Sequence, residues 1–322
     1  MESFTKNKQS QQTIEAIIAR AFGDITAVSI QELKEGFFNV AYLVELSDGT
    51  EVVLKIAPPV GSVVMTHERN IMYAEVEAMR LTAEKTDVPV ATILYYDNSH
   101  ELCEVDYFFM NKLTGSSFHA VMSELSDELR GQIDNQVGQL NYRINQVIGE
   151  RFGYFGQPDK QGDSWYEVFS SILQDAIDDA RVLDIDLQCD TELLLKLLER
   201  DKSYFDEVTK PRLVHWDLWA GNVFIEQGTI TGLIDFERCL WADELMEVGF
   251  RIFANNRQFL SGYGINELTT SQSIRARWYD MYLFLISALE CDYRKYKDRG
   301  VYNWAIGMIK ECTEVIKGTE EL

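Results

Sequence analysis

Hydrophobic periodicity changes character once along this chain, near residue 113, and that change limits its architecture more than any other feature. Before it, residues 25–33, 39–46 and 51–57 are short runs rich in β-branched and aromatic residues, the composition of strands. Ser47-Asp48-Gly49-Thr50 separates the last two and reads as a hairpin turn. Residues 66–85 carry apolar residues at helical spacing, with Thr66 placed to cap them, and Val88-Pro89 breaks the pattern. Residues 91–97 and 103–113 return to strand character around a turn at Asn98-Ser99. An amphipathic helix over residues 11–22, ended by Gly23-Asp24, precedes the first strand.

After Ser116 the spacing predicts helices at 124–149, 164–183, 190–208, 270–295 and 302–317. Residues 212–235 are the exception. They read as a loop, a strand from Val223 to Glu226, a turn at Gly228 and a strand from Ile230 to Asp235. This order predicts an α+β protein with an antiparallel sheet plus one helix in its N-terminal lobe, residues 1–112, and a mostly helical lobe over 113–322. A length of 322 residues favours two lobes over one. The boundary is expected where the last N-terminal strand meets Gly115.

Composition narrows the function. The chain is 46% hydrophobic, enough for a packed core, and carries a net charge of −22. That charge repels phosphate backbones, so no nucleic-acid partner is expected. No run of about 18 apolar residues appears, so no membrane span is expected. Five scattered cysteines form no C-x-x-C pair, and the polar first ten residues lack a signal-like apolar stretch. Reduced thiols in a cytoplasmic location fit these features best. The sequence carries no signal of oligomeric state.

The strongest local signal is His215-x-Asp217-x-x-x-x-Asn222, followed by Asp235-Phe236-Glu237. Phosphoryl transfer needs a carboxylate to orient and deprotonate the attacking hydroxyl, and hard oxygen ligands to hold Mg²⁺ across the nucleotide phosphates. Asp217 fits the first role, while Asn222 and Asp235 fit the second. A hairpin between Asn222 and Asp235 would bring the two ligands together. Upstream, Lys55 lies on an apolar strand, where an ammonium must find a phosphate or a carboxylate. Glu75 on the following helix is the expected partner, with Glu68 and Glu77 as rivals. Lys34-Glu35-Gly36-Phe37-Phe38-Asn39 falls between the first two strands, where a loop would cover ATP phosphates. Gly36 would permit close backbone approach there, and Asn39 closes the segment. Met110-Asn111-Lys112-Leu113 is placed to offer backbone groups to an adenine edge, with Met110 and Leu113 as its ends.

Together Lys55, Glu75, the 215–222 loop and Asp235-Phe236-Glu237 resemble the aminoglycoside phosphotransferase family, which is related to choline and fructosamine kinases. The resemblance spans about residues 25–295 and is sharpest over 214–243. It implies a bilobal protein-kinase-like fold, ATP and Mg²⁺ as cofactors, and a small-molecule hydroxyl as acceptor. It implies that Asp217 is the catalytic base, that Asn222 and Asp235 ligate Mg²⁺, that Lys55 contacts the α/β-phosphates and that His215 braces the loop. Asp243 resembles the family's structural acidic residue. Trp216 and Trp219 depart from the usual loop and are expected to bear on the acceptor. Asp235-Phe236-Glu237 in place of Asp-Phe-Gly disfavours a protein kinase. Glu237, Asp243, Glu244 and Glu247 near the site suit a cationic aminated acceptor such as an aminoglycoside, an amino sugar or a choline-like amine. A neutral sugar is the other acceptor compatible with the sequence.

Two other functions compete. A catalytically inactive nucleotide-sensing relative would have lost a core residue, yet Lys55, Asp217, Asn222 and Asp235 are all present. A two-metal phosphoesterase gathers many His and Asp ligands, whereas this chain has four histidines.

Overall fold

A computed structural model describes residues 5–34, 36, 38–254 and 256–318. Helix α1 (Gln11–Phe22) is capped by Ser10, whose hydroxyl accepts from the Thr13 N–H. Strands β1 (Ala27–Leu33), β2 (Val40–Leu46) and β3 (Glu51–Ile56) follow as an antiparallel meander. Helix α2 (Ile71–Lys85) then leads into β4 (Ile93–Asp97) and β5 (Tyr107–Asn111). The five strands form one antiparallel sheet in the order β1-β2-β3-β5-β4.

Successive residues of the central strands go to opposite cores. Val52, Leu54, Tyr107 and Phe109 face Ile14, Ile17 and Ile18 of α1 in one core. Val53, Phe108 and Met110 face the opposite way, toward Met72, Val76 and Met79 of α2, in the main core. Lys55, two residues from Val53 on β3, therefore points to the α2 side.

The expected helix over 66–85 is interrupted. Thr66–Glu68 form a single 3-10 turn, Asn70 takes a left-handed conformation (φ 56°), and the α-helix begins only at Ile71. Thr66 caps nothing here. Its N–H and hydroxyl both donate to Asp179, at 2.6 and 2.8 Å. Asn70 Nδ2 donates to the Gly156 carbonyl at 2.8 Å, and Gln157 Nε2 to that of Thr66 at 2.8 Å. These tertiary bonds override the local helical preference.

The second lobe opens with the short strand β6 (Ser116–Ser117) and helix α3 (Phe118–Val121). Helices α4 (Asp127–Ile144) and, after β7 (Gly153–Tyr154), α5 (Trp165–Val182) are each shorter than expected. The expected helix over 190–208 breaks at Asp201 into α6 (Thr191–Arg200) and α7 (Lys202–Phe205). Buried Asp201 accepts from the Trp278 indole at 2.9 Å. Next come β8 (Arg212–Val214), the hairpin β9 (Val223–Glu226) and β10 (Thr229–Leu233), and β11 (Leu240–Ala242). Helices α8 (Arg257–Tyr263), α9 (Thr270–Tyr293) and α10 (Gly300–Lys317) complete the chain. Strands β7, β11 and β8 form a small sheet, and β10, β9 and β6 another. Helix α9 is the spine of this lobe, with Trp278, Tyr279, Tyr282 and Leu285 buried along it. Among the described residues no helix is long and apolar enough to cross a membrane.

Candidate active site

Lys55 Nζ reaches both carboxylate oxygens of Glu75, at 2.7 and 2.8 Å. Glu75 is fully buried on the sheet-facing side of α2. Its rivals are engaged elsewhere: Glu68 pairs with Arg294 at 2.8 Å and Glu77 with Arg80 at 2.7 Å. Lys55 also donates to Asp235 Oδ1 at 2.6 Å, across 180 residues of sequence. Burial disfavours the ammonium, but the Asp235 and Glu75 charges outweigh it and raise the Lys55 pKa.

Glu237 adds a third carboxylate, and those of Glu75, Asp235 and Glu237 lie within 4.8 Å of one another, close enough to share a metal ion. Lys55 is the cation that bonds to two of them. Burial, then the Asp235 charge, push the Glu237 carboxyl well above the usual carboxylate range. It accepts from Asn39 Nδ2 at 2.8 Å.

Strand β8 delivers the chain into the 215–222 loop. His215 is fully buried; its Nε2 faces the Ile234 carbonyl at 3.0 Å, and its Nδ1 accepts from the Asp217 N–H at 3.3 Å. Those partners assign the proton to Nε2, so His215 braces both sides of the loop as a neutral ring. Trp216 is forced to φ 63°, a left-handed conformation that a bulky residue adopts only under constraint. The constraint is Glu247, fully buried, whose two carboxylate oxygens accept the N–H groups of Trp216 and Leu218 at 3.0 Å each.

Asn222 Nδ2 donates to the Asp217 carbonyl at 2.8 Å. That bond fixes the amide and leaves Oδ1 as its ligand-type atom. The β9–β10 hairpin pairs Val223 with Leu233, and Ile234 N–H donates to the Asn222 carbonyl at 3.1 Å. Asn222 and Asp235 are thereby brought to the same end of the hairpin. Its turn uses Gln227 and Gly228, both left-handed, as a two-residue connection requires. Asp235 is itself left-handed (φ 69°). Burial raises the Asp217 carboxyl to about 6, opposed by Arg238 and assisted by Asp235. Arg238 lies over the Trp216 ring at 5.6 Å and donates to Glu290 at 3.0 Å.

Several expected residues sit differently. Met110 belongs to β5, registered between Val53 and Ile93, with its side chain buried in the main core; the connector begins after Asn111. Leu113 presses on Gly232, where a Cβ would come within 2.6 Å of its methyl groups. Gly36 is exposed, while Glu35 and Phe37 of the same loop lie outside the described residues. Trp216 is buried and stacked on Tyr282 at 5.2 Å. Trp219 is 39% exposed, beside His119 and over Gly221. Asp243 is taken up by Arg275 and the Tyr279 hydroxyl, each at 2.7 Å, and Glu244 by Arg212 at 3.1 Å. With Glu237 and Glu247 also engaged, none of the four carboxylates expected to attract a cationic acceptor lacks a protein partner.

Glu247 and Arg238 as supports of the loop escaped sequence reasoning. Arg238 had a visible signal, as the one cation in an acidic stretch from Asp235 to Glu247. Glu247, about thirty residues after the loop it holds, had none.

A search of curated proteins finds no match. Among solved structures, the GDP and kanamycin complex of APH(2")-IIIa is 18% identical, with 95% of this chain and 99% of that chain covered and a TM-score of 0.66. A thermostable mutant of APH(4)-Ia in ternary complex with AMP-PNP and hygromycin B is also 18% identical, covering 95% of this chain and 98% of that one at a TM-score of 0.63. These likenesses show the bilobal kinase-like fold. Residues 29–269 match the phosphotransferase enzyme family APH, and a match over that much of the sequence places the chain in this family of small-molecule phosphotransferases.

Proposed function

We propose that this protein transfers the γ-phosphoryl group of ATP to a hydroxyl of a small molecule. The observation that carries the reading is the convergence of Lys55, Glu75 and Asp235 from three separate elements, at 2.6–2.8 Å. In this reading Lys55, held charged and aimed by Glu75, contacts the α/β-phosphates. Asn222 Oδ1 and Asp235 are the ligands for Mg²⁺, and an amide oxygen with a carboxylate is the hard-oxygen set that this ion prefers. When bound, Mg²⁺ neutralises charge on the transferring phosphates. Asp217 orients the acceptor hydroxyl and takes its proton, and its raised pKa suits a base working near neutrality. Gly36 and Asn39 belong to the loop over the phosphates, and residues 110–113 border the adenine site, with lobes at 1–112 and 113–322.

The structural neighbours were solved with kanamycin and hygromycin B, and an aminated hydroxyl compound is the acceptor class this supports. The alternative, an inactive nucleotide sensor, is disfavoured because the full set of expected residues is present and assembled. The test is a coupled ADP-release screen over aminoglycosides, choline-like amines, amino sugars and fructosamines. Wild-type protein should turn over a member of the panel, and Asp217→Asn should bind Mg-ATP without turnover. Full activity in Asp217→Asn would remove Asp217 from its role. ATP binding with no turnover on any hydroxyl compound would favour the sensor.

A further inference from the structure

The β1–β2 loop and the segment after Asp235 meet through one side-chain pair. Asn39 Nδ2 donates to Glu237 Oε2 over 2.8 Å, across 198 residues of sequence. Both side chains are buried, at 5% and 8% exposure. Asn39 stands immediately before β2, at the end of the loop assigned to the nucleotide phosphates. Glu237 stands two residues after the proposed metal ligand Asp235. The amide oxygen of Asn39 is also buried and meets no donor among the described residues. Among the described residues, Glu237 is therefore the partner that orients the side chain.

We propose that Asn39 and Glu237 form a clasp that positions the β1–β2 loop against the metal-binding segment, setting the two halves of the nucleotide site in register before nucleotide binds. The clasp rests on the reading of this cleft as a nucleotide site. Neither residue is assigned contact with the reacting atoms, so both are positioning residues. Ordering a loop during binding consumes affinity, and a bond that orders it beforehand removes that cost. The effect therefore falls on nucleotide affinity rather than on the rate of the bound complex. Glu237 replaces the glycine of the Asp-Phe-Gly pattern, and glycine has no side chain to make such a bond.

The test is calorimetric titration of the full chain with AMP-PNP and Mg²⁺, using Asn39→Ala, Glu237→Ala, the double variant, Glu237→Gln and Lys55→Met. Each alanine variant should bind about tenfold more weakly, the effect of one net hydrogen bond. The double variant should be no weaker than either single one. Glu237→Gln keeps an acceptor oxygen for Asn39 and should bind within about twofold of wild type. Melting temperatures separate loss of the clasp from loss of the fold. If Glu237→Ala does not fold, Asn39→Ala carries the test in the wild-type and Glu237→Gln backgrounds, with an equal loss of about tenfold expected in both and wild-type affinity in either overturning the clasp. The clasp is overturned if Asn39→Ala binds as wild type, or if the single effects multiply in the double variant. It is equally overturned if Glu237→Gln is as weak as Glu237→Ala, the pattern of a direct metal ligand. Lys55→Met separates the two levels. Wild-type affinity in that variant sinks the nucleotide site itself, whereas weak binding there with normal binding in Asn39→Ala sinks only the clasp.

Discussion

Glu247→Ala should damage this protein more than any acceptor-side substitution, because one carboxylate holds the 215–222 loop in an unfavourable shape. Its oxygens accept the N–H groups of Trp216 and Leu218 at 3.0 Å each, inside a fully buried pocket. A hydrogen bond to a charged group contributes about 1.5–3 kcal/mol, so the two bonds to the loop cost about 3–6 kcal/mol, besides the local bond from the Val248 N–H at 2.9 Å. Relief of the left-handed Trp216 backbone returns about 1–2 kcal/mol, leaving a net loss of about 1–5 kcal/mol. Urea unfolding monitored by circular dichroism reads this directly. Glu247→Gln should lose about half as much. Its carbonyl oxygen can still serve Leu218, while its NH₂ faces the Trp216 N–H. Activity should fall further than stability suggests, because displacing a reacting group by about 1 Å costs on the order of a hundredfold in rate. A loss below about 0.5 kcal/mol, the size of an ordinary surface substitution, would refute the view that Glu247 forms the loop.

Two further outcomes follow from the geometry. Asp217, raised to about 6 by burial, must be ionised to act as a base, so turnover should fall about tenfold per pH unit below 6. Its folded pKa exceeds the unfolded value, so its contribution to stability is complete below about 3.9 and is lost as pH rises through about 6. Acid should thus favour the fold at this residue while silencing it, and Asp217→Asn should flatten that part of the melting-temperature profile; an unchanged profile would contradict the assignment. Gly156→Ala would set a Cβ 2.7 Å from the Asn70 carbonyl. Overpacking of this kind costs about 1–3 kcal/mol, and a melting temperature equal to wild type would show that the contact yields freely.

The candidate site residues stood out in the sequence through their spacing. Asp217, Asn222 and Asp235 stand at intervals fixed by a loop and a hairpin, and the hairpin formed as read. The five-strand sheet was legible because both of its faces are packed, so β3 and β5 read as short continuous apolar runs. The helix at 66–85 misled because its first turn answers to Asp179, Gly156 and Gln157, far away in sequence. Strands β7, β8 and β11 are two or three residues long and have no period to read. Glu247 and the role of Asn39 were hidden for the same reason: each is defined by a single distant partner, and one pair leaves no pattern.

The segment from Thr66 to Asn70 has a mechanical consequence. Although it precedes α2 in sequence, its polar groups are tied to Asp179, Gly156, Gln157 and Arg294, all in the helical lobe. Helix α2 is therefore anchored at its N-terminal end to the lobe opposite its own sheet, and Glu75, one turn along, inherits that anchorage. Swinging α2 outward, which would part Lys55 from Glu75, means breaking several buried hydrogen bonds and an ion pair together. The lysine–glutamate pair is thus a standing part of the site rather than one assembled on demand.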